Sequence, residues 1–538
     1  MNTNDEPTPP APGQTRGAKL RRLGLKALAG VLSAGLALGI AELITVLTGA
    51  RTSPVLAIGS VVVDSAPKGV KDFAIATFGI YDKIALLVGM GLAIAALSAI
   101  AGVLERRSRP YGSAIFVVFG ALGVIAAVTR VGAGVSAALP TVIGVAIGIV
   151  ALRLLTGALR PAEETSNGPG GTAESLPVNP RSVRRRGFVQ LSVGTALIAV
   201  VSATIGRLVT ATVRGAQASR EAIRLPRPGR RATIPDGAQL EVDGVSDYVT
   251  GNADFYRIDT ALQVPQISTD DWSLRIHGMV DKEVELSFDQ LLKKPLIERV
   301  ITLSCVSNEV GGTLAGNAVW LGYPIRLLLE EAGVSRDADM VLSSSQDGYT
   351  AGTPLEALTD PGRDSILAVA MNGEPLPLEH GFPVRMVVPG LYGYVSATKW
   401  VVDLEVTRFD QKQAYWTPRG YAERAPIKLA SRIDVPKSFA KIGPGKIAVA
   451  GVAWAQHTGI SKVEVRIDEG SWQEATLAEV PGPDTWRQWR YEWTARDKGN
   501  HYIYVRATDA DGNLQTDKRA DPLPDGATGL HNRMVRVE

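Results

Sequence analysis

Five stretches of this chain are too long and too apolar to lie in water. Ala27–Gly49, Ile84–Leu104, Gly112–Thr129, Val131–Leu152 and Gly187–Gly206 each approach the roughly 20 apolar residues that cross a hydrocarbon core. Backbone in lipid must satisfy its own hydrogen bonds, so each is expected to be a helix. Pro54–Val63 is also apolar but too short, and Asp64, Lys68, Lys71 and Asp72 follow it. It reads as an interfacial segment and not a sixth span.

Basic residues set the orientation. Arg16, Lys19, Arg21, Arg22 and Lys26 precede the first span. Arg106, Arg107 and Arg109 follow the second, and Arg153, Arg160, Arg181, Arg184, Arg185 and Arg186 follow the fourth. Five spans put all three groups on one side, which the positive-inside rule makes the cytoplasm. The remaining ~330 residues then lie on the extracytoplasmic side of a multi-pass protein of the cytoplasmic (plasma) membrane. Glu42 is the one charge inside a span. At helical rise it lies about 13 Å from Arg51, so it reads as a carboxylate reaching the interface. None of the five His lies in a span, which excludes a transmembrane haem held by His. Arg185-Arg186-Gly187-Phe188-Val189-Gln190 precedes the fifth span. It is similar to the twin-arginine export signal, a route taken by folded proteins.

Charge divides the chain. The first 210 residues hold 20 Lys and Arg against 10 Asp and Glu; the rest hold 37 against 44. That acidic remainder argues against nucleic acid as a partner. A single Cys excludes a disulfide framework, an iron–sulfur cluster, a Cys-type zinc site and c-type haem attachment.

The expected order is a tail over 1–26, a five-helix membrane domain over 27–210 and a basic linker over 211–239. From 240 to 410 strand and helix signals mix without regular alternation, which is an α+β pattern. Trp272–His277 alternates as a strand, Ser287–Leu292 and Ile325–Ala332 read as helices, and Val384–Val388 is a short buried strand. From 425 to 538 the strands Ile447–Trp454, Val463–Ile467 and Tyr502–Arg506 alternate between turn-rich segments. That pattern predicts an Ig-like β-sandwich, with Trp454, Trp472, Trp486, Trp489 and Trp493 as packing residues.

Cys305 is the pivotal residue. It stands where the apolar strand Val300–Leu303 runs into a loop rich in Ser, Asn and Gly. A lone Cys is by default a small buried hydrophobe. A loop of this composition can also hold a ligand, and a thiolate is a soft donor suited to a redox metal.

Cys305-Val-Ser-Asn308, followed by Gly316-Asn-Ala-Val-Trp320-Leu-Gly322, resembles the molybdenum-ligand segment of the sulfite oxidase family. Three further blocks resemble that family in the same order: Phe255-Tyr-Arg257, Tyr349–Glu356, and the stretch from Met371 through His380–Arg385 to Lys399-Trp400. The region 425–538 resembles the family's C-terminal dimerisation domain, including Ser431–Pro436. The resemblance covers about residues 240–538. It implies a molybdopterin oxidoreductase domain over 240–410, with Cys305 as the protein ligand to an oxo-molybdenum carried by one pterin. It further implies that His380, Arg385, Ser396, Thr398 and Lys399 hold the pterin, that Asn308 orients the Cys loop, and that Tyr349 and Arg257 face the substrate.

The expected activity is two-electron oxygen-atom transfer on a small oxyanion or S-oxide. The reverse direction, S- or N-oxide reduction, and an inactive membrane receptor or assembly module are the alternatives. Electrons would pass to a separate protein or a quinone-linked partner, and the C-terminal domain would mediate a homodimer. This sequence also departs from the family. Glu309-Val310 stand where basic residues are usual, and Arg257-Ile-Asp259 replaces Arg-Asn-His. One more residue than in the plant-type pattern separates His380 from Lys399. A pocket with fewer cations is less suited to a dianion such as sulfite.

Overall fold

The chain divides into two units, residues 1–213 and 214–538. A computed structural model describes residues 16–48, 53–66, 82–129, 135–159, 180–213 and 215–538, with Val70 and Thr77. The tail before Arg16, Arg51, Lys68, Lys71, Asp72, the start of the expected span 131–152, and Arg160 lie outside the described residues.

The first unit holds α1 (Arg16–Thr48), α2 (Pro54–Ser65), α3 (Asp82–Leu104), α4 (Tyr111–Val128), α5 (Leu139–Ala158) and α6 (Pro180–Val213). Among the described residues four stretches are long and apolar enough to cross a membrane: Leu20–Thr45, Ile84–Leu104, Tyr111–Val128 and Val135–Ala158. Five were expected, and four are found among the described residues. The fifth expected segment lies within helix α6, and its described apolar part is Gly187–Ser202.

α1 packs closely on its neighbours through small residues. A Cβ on Gly30 would collide with the Ser98 carbonyl of α3, and one on Gly144 of α5 with the Ala37 carbonyl of α1. Such close backbone approach is how apolar helices associate where burial from water gives no drive. Glu42 accepts a hydrogen bond of 2.5 Å from Ser53 Oγ, at the start of the short helix α2. Glu105, just past α3, is buried and caps α4. It accepts from the Ser113 amide at 2.8 Å and the Ser113 hydroxyl at 3.0 Å. A carboxylate there satisfies donors that a helix start leaves open.

The second unit begins with ten strands: β1 (Ser273–Gly278), β2 (Val284–Ser287), β3 (Ile297–Ser304), β4 (Ala315–Pro324), β5 (Met340–Ser345), β6 (Thr350–Pro354), β7 (Ile366–Met371), β8 (Glu374–Pro375), β9 (Arg385–Val387) and β10 (Val401–Thr407). One sheet has the order β2-β1-β10-β5-β6; the other is β3-β4-β7-β8, with β9 also paired to β7. Within these two sheets β1 and β10 run parallel and the other strand pairs antiparallel. Short helices interrupt the strands, including Phe288–Leu292, which Ser287 and Gln290 start with a reciprocal capping box.

Nine more strands follow: β11 (Ala430–Val435), β12 (Lys441–Ile442), β13 (Gly445–Trp454), β14 (Ile460–Ile467), β15 (Gln473–Glu474), β16 (Thr476–Leu477), β17 (Arg487–Ala495), β18 (Gly499–Asp509) and β19 (His531–Val537). They form two sheets, β11-β13-β17-β16 and β12-β19-β18-β14-β15. Ile433, Val449 and Trp489 of the first share one core with Val463, Ile503 and Val535 of the second. Alternation produces that face: Ile503, Val505 and Ala507 point in while their neighbours do not.

Not every tryptophan packs there. Trp454 and Trp486 belong to the core beneath the first two sheets, and Trp472 lies partly exposed against Arg466 and Arg506. The sandwich also holds strand β3 from behind. Thr302 donates its amide to the Asp484 carbonyl at 3.0 Å, and its hydroxyl accepts from the Trp486 amide at 2.7 Å. Gln456 Nε2 donates to the Thr302 carbonyl at 2.6 Å.

Candidate active site

β3 is buried along Val300–Ser304 and ends at Cys305, which is 8% exposed. The loop after it is closed by Asn308. Asn308 Oδ1 accepts from the Leu314 amide at 2.9 Å, and the Cys305 amide donates to the Leu314 carbonyl at 2.9 Å. Gly311 has φ +79°, and a Cβ there would overlap the His531 ring. Arg432 donates to the Gly312 carbonyl at 3.0 Å, to Ser246 Oγ at 2.8 Å and to Asp434 at 2.7 Å. Two groups of the C-terminal strands therefore fix the far end of the Cys loop. Burial raises the Cys305 thiol pKa, while hydrogen bonds from the Ser307 amide and hydroxyl oppose that rise.

The thiol opens into a cavity of about 140 Å³. Tyr256, Ser307, Tyr349, His380, Arg385 and Lys399 share its lining with Cys305. Burial, then the nearby Cys305, drives the Tyr256 hydroxyl pKa up, and burial with Asp347 does so for Tyr349. Tyr349 donates to the Tyr394 carbonyl at 2.7 Å. Burial, reinforced by Arg385, lowers His380 to about 4. Its Nε2 lies 3.0 Å from the Asn252 carbonyl. The ring is therefore neutral at pH 7, with the proton on Nε2 and Nδ1 as acceptor.

The two cations differ in their partners. Lys399 Nζ donates to Asp259 Oδ2 at 2.8 Å and to the Glu379 carbonyl at 3.0 Å, and burial lowers it to about 8. Arg385 is buried, and burial pulls it down to about 10. Its hydrogen bonds go only to the carbonyls of Met386, His380 and Ala397, at 3.1–3.4 Å. No carboxylate pairs with it among the described residues. Trp400, next to Lys399, holds φ +52°, a costly conformation for a bulky side chain. Its indole donates to the Leu378 carbonyl at 2.9 Å and fixes it there.

Three residues expected at the site point elsewhere. Arg257 does not line the cavity; it pairs with Asp259 at 3.0 Å with its side chain 43% exposed. Ser396 donates to the carbonyls of Leu391 and Tyr392, which closes its own short turn. Thr398 shares a hydrogen bond of 2.7 Å with Ser343 Oγ. Asn308 sits on the loop but outside the lining. Conversely, Tyr256, Asp259 and Ser307 do line the cavity, and sequence reasoning missed them although each is within two residues of a recognised position.

The loop's support carries a pH dependence. His531 Nδ1 accepts from the Ile433 amide at 2.9 Å, and burial with Arg533 and Arg432 lowers its pKa to about 4. Between pH 6.5 and 4 the unfolded chain binds a proton that the folded chain does not. The contribution is thus intact above pH 6.5 and lost as pH falls toward 4, by at most about 3 kcal/mol. Asn at 531 keeps an acceptor but does not titrate. Melting temperature should fall more steeply between pH 6.5 and 4 in the wild type than in His531→Asn. Equal slopes would contradict this assignment.

Residues 261–416 match the oxidoreductase molybdopterin-binding domain. The chain is 36% identical over 153 residues to the oxidoreductase YuiH of Bacillus subtilis, covering 28% of this chain and 73% of that protein. It is 29% identical over 317 residues to the mitochondrial sulfite oxidase of Rattus norvegicus, covering 50% of this chain and 58% of that protein. The chain thus spans somewhat over half the length of those sulfite oxidases. Among solved structures, the sulfane dehydrogenase SoxCD of Paracoccus pantotrophus aligns with TM-score 0.48 and 23% identity, over 55% of this chain and 84% of that one. The shared domain places the chain among the molybdopterin-binding oxidoreductases. The chain belongs to the sulfite oxidase family of these enzymes.

Proposed function

We propose that this chain is a membrane-anchored, exported molybdenum oxidoreductase that performs two-electron oxygen-atom transfer with an external electron partner. One observation carries the reading: the lone thiol shares a cavity with a buried Arg385 whose charge no carboxylate pairs with among the described residues. A buried guanidinium of this kind suits a bound anion. The donor set therefore fits a phosphate-bearing pterin and a soft metal. Arg385, Lys399 and the His380 Nδ1 would hold the pterin, and Cys305 would ligate molybdenum. When bound, the molybdenum–pterin group supplies the two-electron oxygen-atom exchange.

The protein's own residues do the rest. Asn308, Arg432 and His531 hold the thiol loop in place. Ser307 stabilises the thiolate by donating to sulfur. Tyr256, kept neutral, brings a hydroxyl to the cavity, while the Tyr349 hydroxyl is held by the Tyr394 carbonyl. Asp259 keeps Lys399 charged and aimed inward. Arg257 acts from outside by sharing Asp259. Metal and pterin analysis of the purified full chain, made in a molybdenum-competent host, tests the reading; about one equivalent of each is expected.

The finer proposals concern the setting. The four apolar helices support a membrane anchor. With the apolar stretch of α6 as a further crossing, the basic residues before the first span, after the second and after the fourth would all face the cytoplasm and the catalytic unit would lie outside. The substrate would be a small oxyanion or S-oxide, and the electron partner a protein or quinone-linked carrier. The two C-terminal sheets are read as an Ig-like module that pairs two copies. The arginine pair at 185–186 is read as a twin-arginine signal. Arg185→Lys with Arg186→Lys keeps the charge but removes the signal, so the outer unit should no longer be reached by protease added to intact spheroplasts. Unchanged protease access would reject export by that route.

A further inference from the structure

We infer that the aromatic wall of the Cys305 cavity is built for an organic substrate with an apolar or aromatic group, and not for an inorganic dianion. This rests on the reading of that cavity as the active site. Tyr349, Tyr394, Trp416 and Tyr421 all line it. Tyr349 shares the cavity lining with Cys305, so the wall and the thiol belong to one cavity. Trp416 and Tyr421 lie 5.2 Å apart between ring centroids, and Tyr421 and Tyr394 5.4 Å. Tyr415 closes the set from behind, 5.7 Å from Tyr349 and 5.1 Å from Trp416. The hydroxyls of Tyr349 and Tyr394 are spent on the carbonyls of Tyr394 and Ala422, at 2.7 and 2.6 Å. What these two side chains offer a ligand is ring surface. Edge-to-face and offset ring contacts favour an aromatic or apolar partner beyond simple burial.

Charge points the same way. The only Arg or Lys in the lining are Arg385 and Lys399, and Asp259 and Asp347 line it too. His380 is neutral. Lys399 is paired with Asp259, and the proposed pterin claims Arg385. A dianion entering along the aromatic wall would meet no net positive charge and would lose its hydration, which is costly without compensating donors. The wall is also peculiar to this end of the domain: Trp416 is the last residue of the shared molybdopterin-binding match, and Tyr421 lies beyond it.

The test titrates the cofactor-loaded full chain in detergent with three probes and follows tryptophan fluorescence. The probes are sulfite, dimethyl sulfoxide and methyl phenyl sulfoxide. The last two differ only by a phenyl group in place of a methyl. Methyl phenyl sulfoxide should bind at least tenfold more tightly than dimethyl sulfoxide, and sulfite more weakly than either. Trp416→Leu and Tyr421→Leu should each cut the phenyl preference to about threefold or less; the second variant decides the point should the first misfold. Circular dichroism and molybdenum content at wild-type levels show that fold and cofactor survive. Tighter binding of sulfite than of methyl phenyl sulfoxide, or a phenyl preference unchanged in both variants, would overturn the inference. A chain that binds no molybdenum would sink the proposed reaction instead, while the phenyl ratio still decides the wall.

Discussion

Cys305→Ser should give a folded chain that purifies with less than a tenth of the wild-type molybdenum and no measurable turnover. Serine offers a hard, protonated oxygen where a soft, charged sulfur is needed. The fold should survive, because the thiol is a small group at the end of a strand that others hold. Thr302 is tied to Asp484, Trp486 and Gln456, and Asn308 closes the loop through Leu314. Cys305→Ala should behave alike, since neither side chain needs space that the cavity lacks. Circular dichroism, melting temperature and metal analysis on one preparation separate the two effects. Wild-type molybdenum in either variant would remove Cys305 from the metal and with it the proposed chemistry.

Periodicity made much of the fold legible. The second and third apolar runs, Ile84–Leu104 and Gly112–Thr129, coincide with α3 and α4 within a residue or so. Alternation found β1, β13, β14 and β18, and the capping signal found the helix after Ser287. The fifth apolar run, Gly187–Gly206, lies inside α6, which already starts at Pro180, because nothing in the basic residues before the run breaks a helix.

The site was legible in residue type but not in direction. The segment Phe255–Asp259 puts Phe255, Tyr256, Ile258 and Asp259 into the cavity lining but leaves Arg257 out of it. It is irregular, so no repeat of two or 3.6 tells which side chain points in. Ser396 and Thr398 have hydroxyls that a pterin could use, yet backbone and Ser343 already satisfy them. Sequence shows a donor; only the fold shows where the donor is spent. Trp416 and Tyr421 were invisible for the same reason, lying in a connection between strands with no period at all.

Arg385→Met should separate cofactor retention from stability, and in opposite directions. In the cofactor-free chain Arg385 is a buried charge with no carboxylate paired to it among the described residues, and its three hydrogen bonds, to carbonyls, run from 3.1 to 3.4 Å. Burial already pulls its pKa down to about 10, which shows that the fold bears a cost for the charge. Against that stands a cation–π contact with Trp320 at 5.1 Å, typically worth ~1–2 kcal/mol when desolvated. Replacing a buried charge by an apolar side chain of similar volume is often neutral or stabilising, so the cofactor-free melting temperature should stay level or rise. Retention of an anionic group should move the other way. A buried charge-assisted contact is worth about 2–5 kcal/mol, or roughly 30- to 5,000-fold in affinity. Arg385→Lys should fall between the two, because a point charge replaces a planar fork. The comparison needs chain made with and without molybdenum supply, melted side by side and assayed for bound pterin. Wild-type pterin content in Arg385→Met would place the anion elsewhere. A cofactor-free variant that melts well below wild type would show that Arg385 is held by the fold for packing alone.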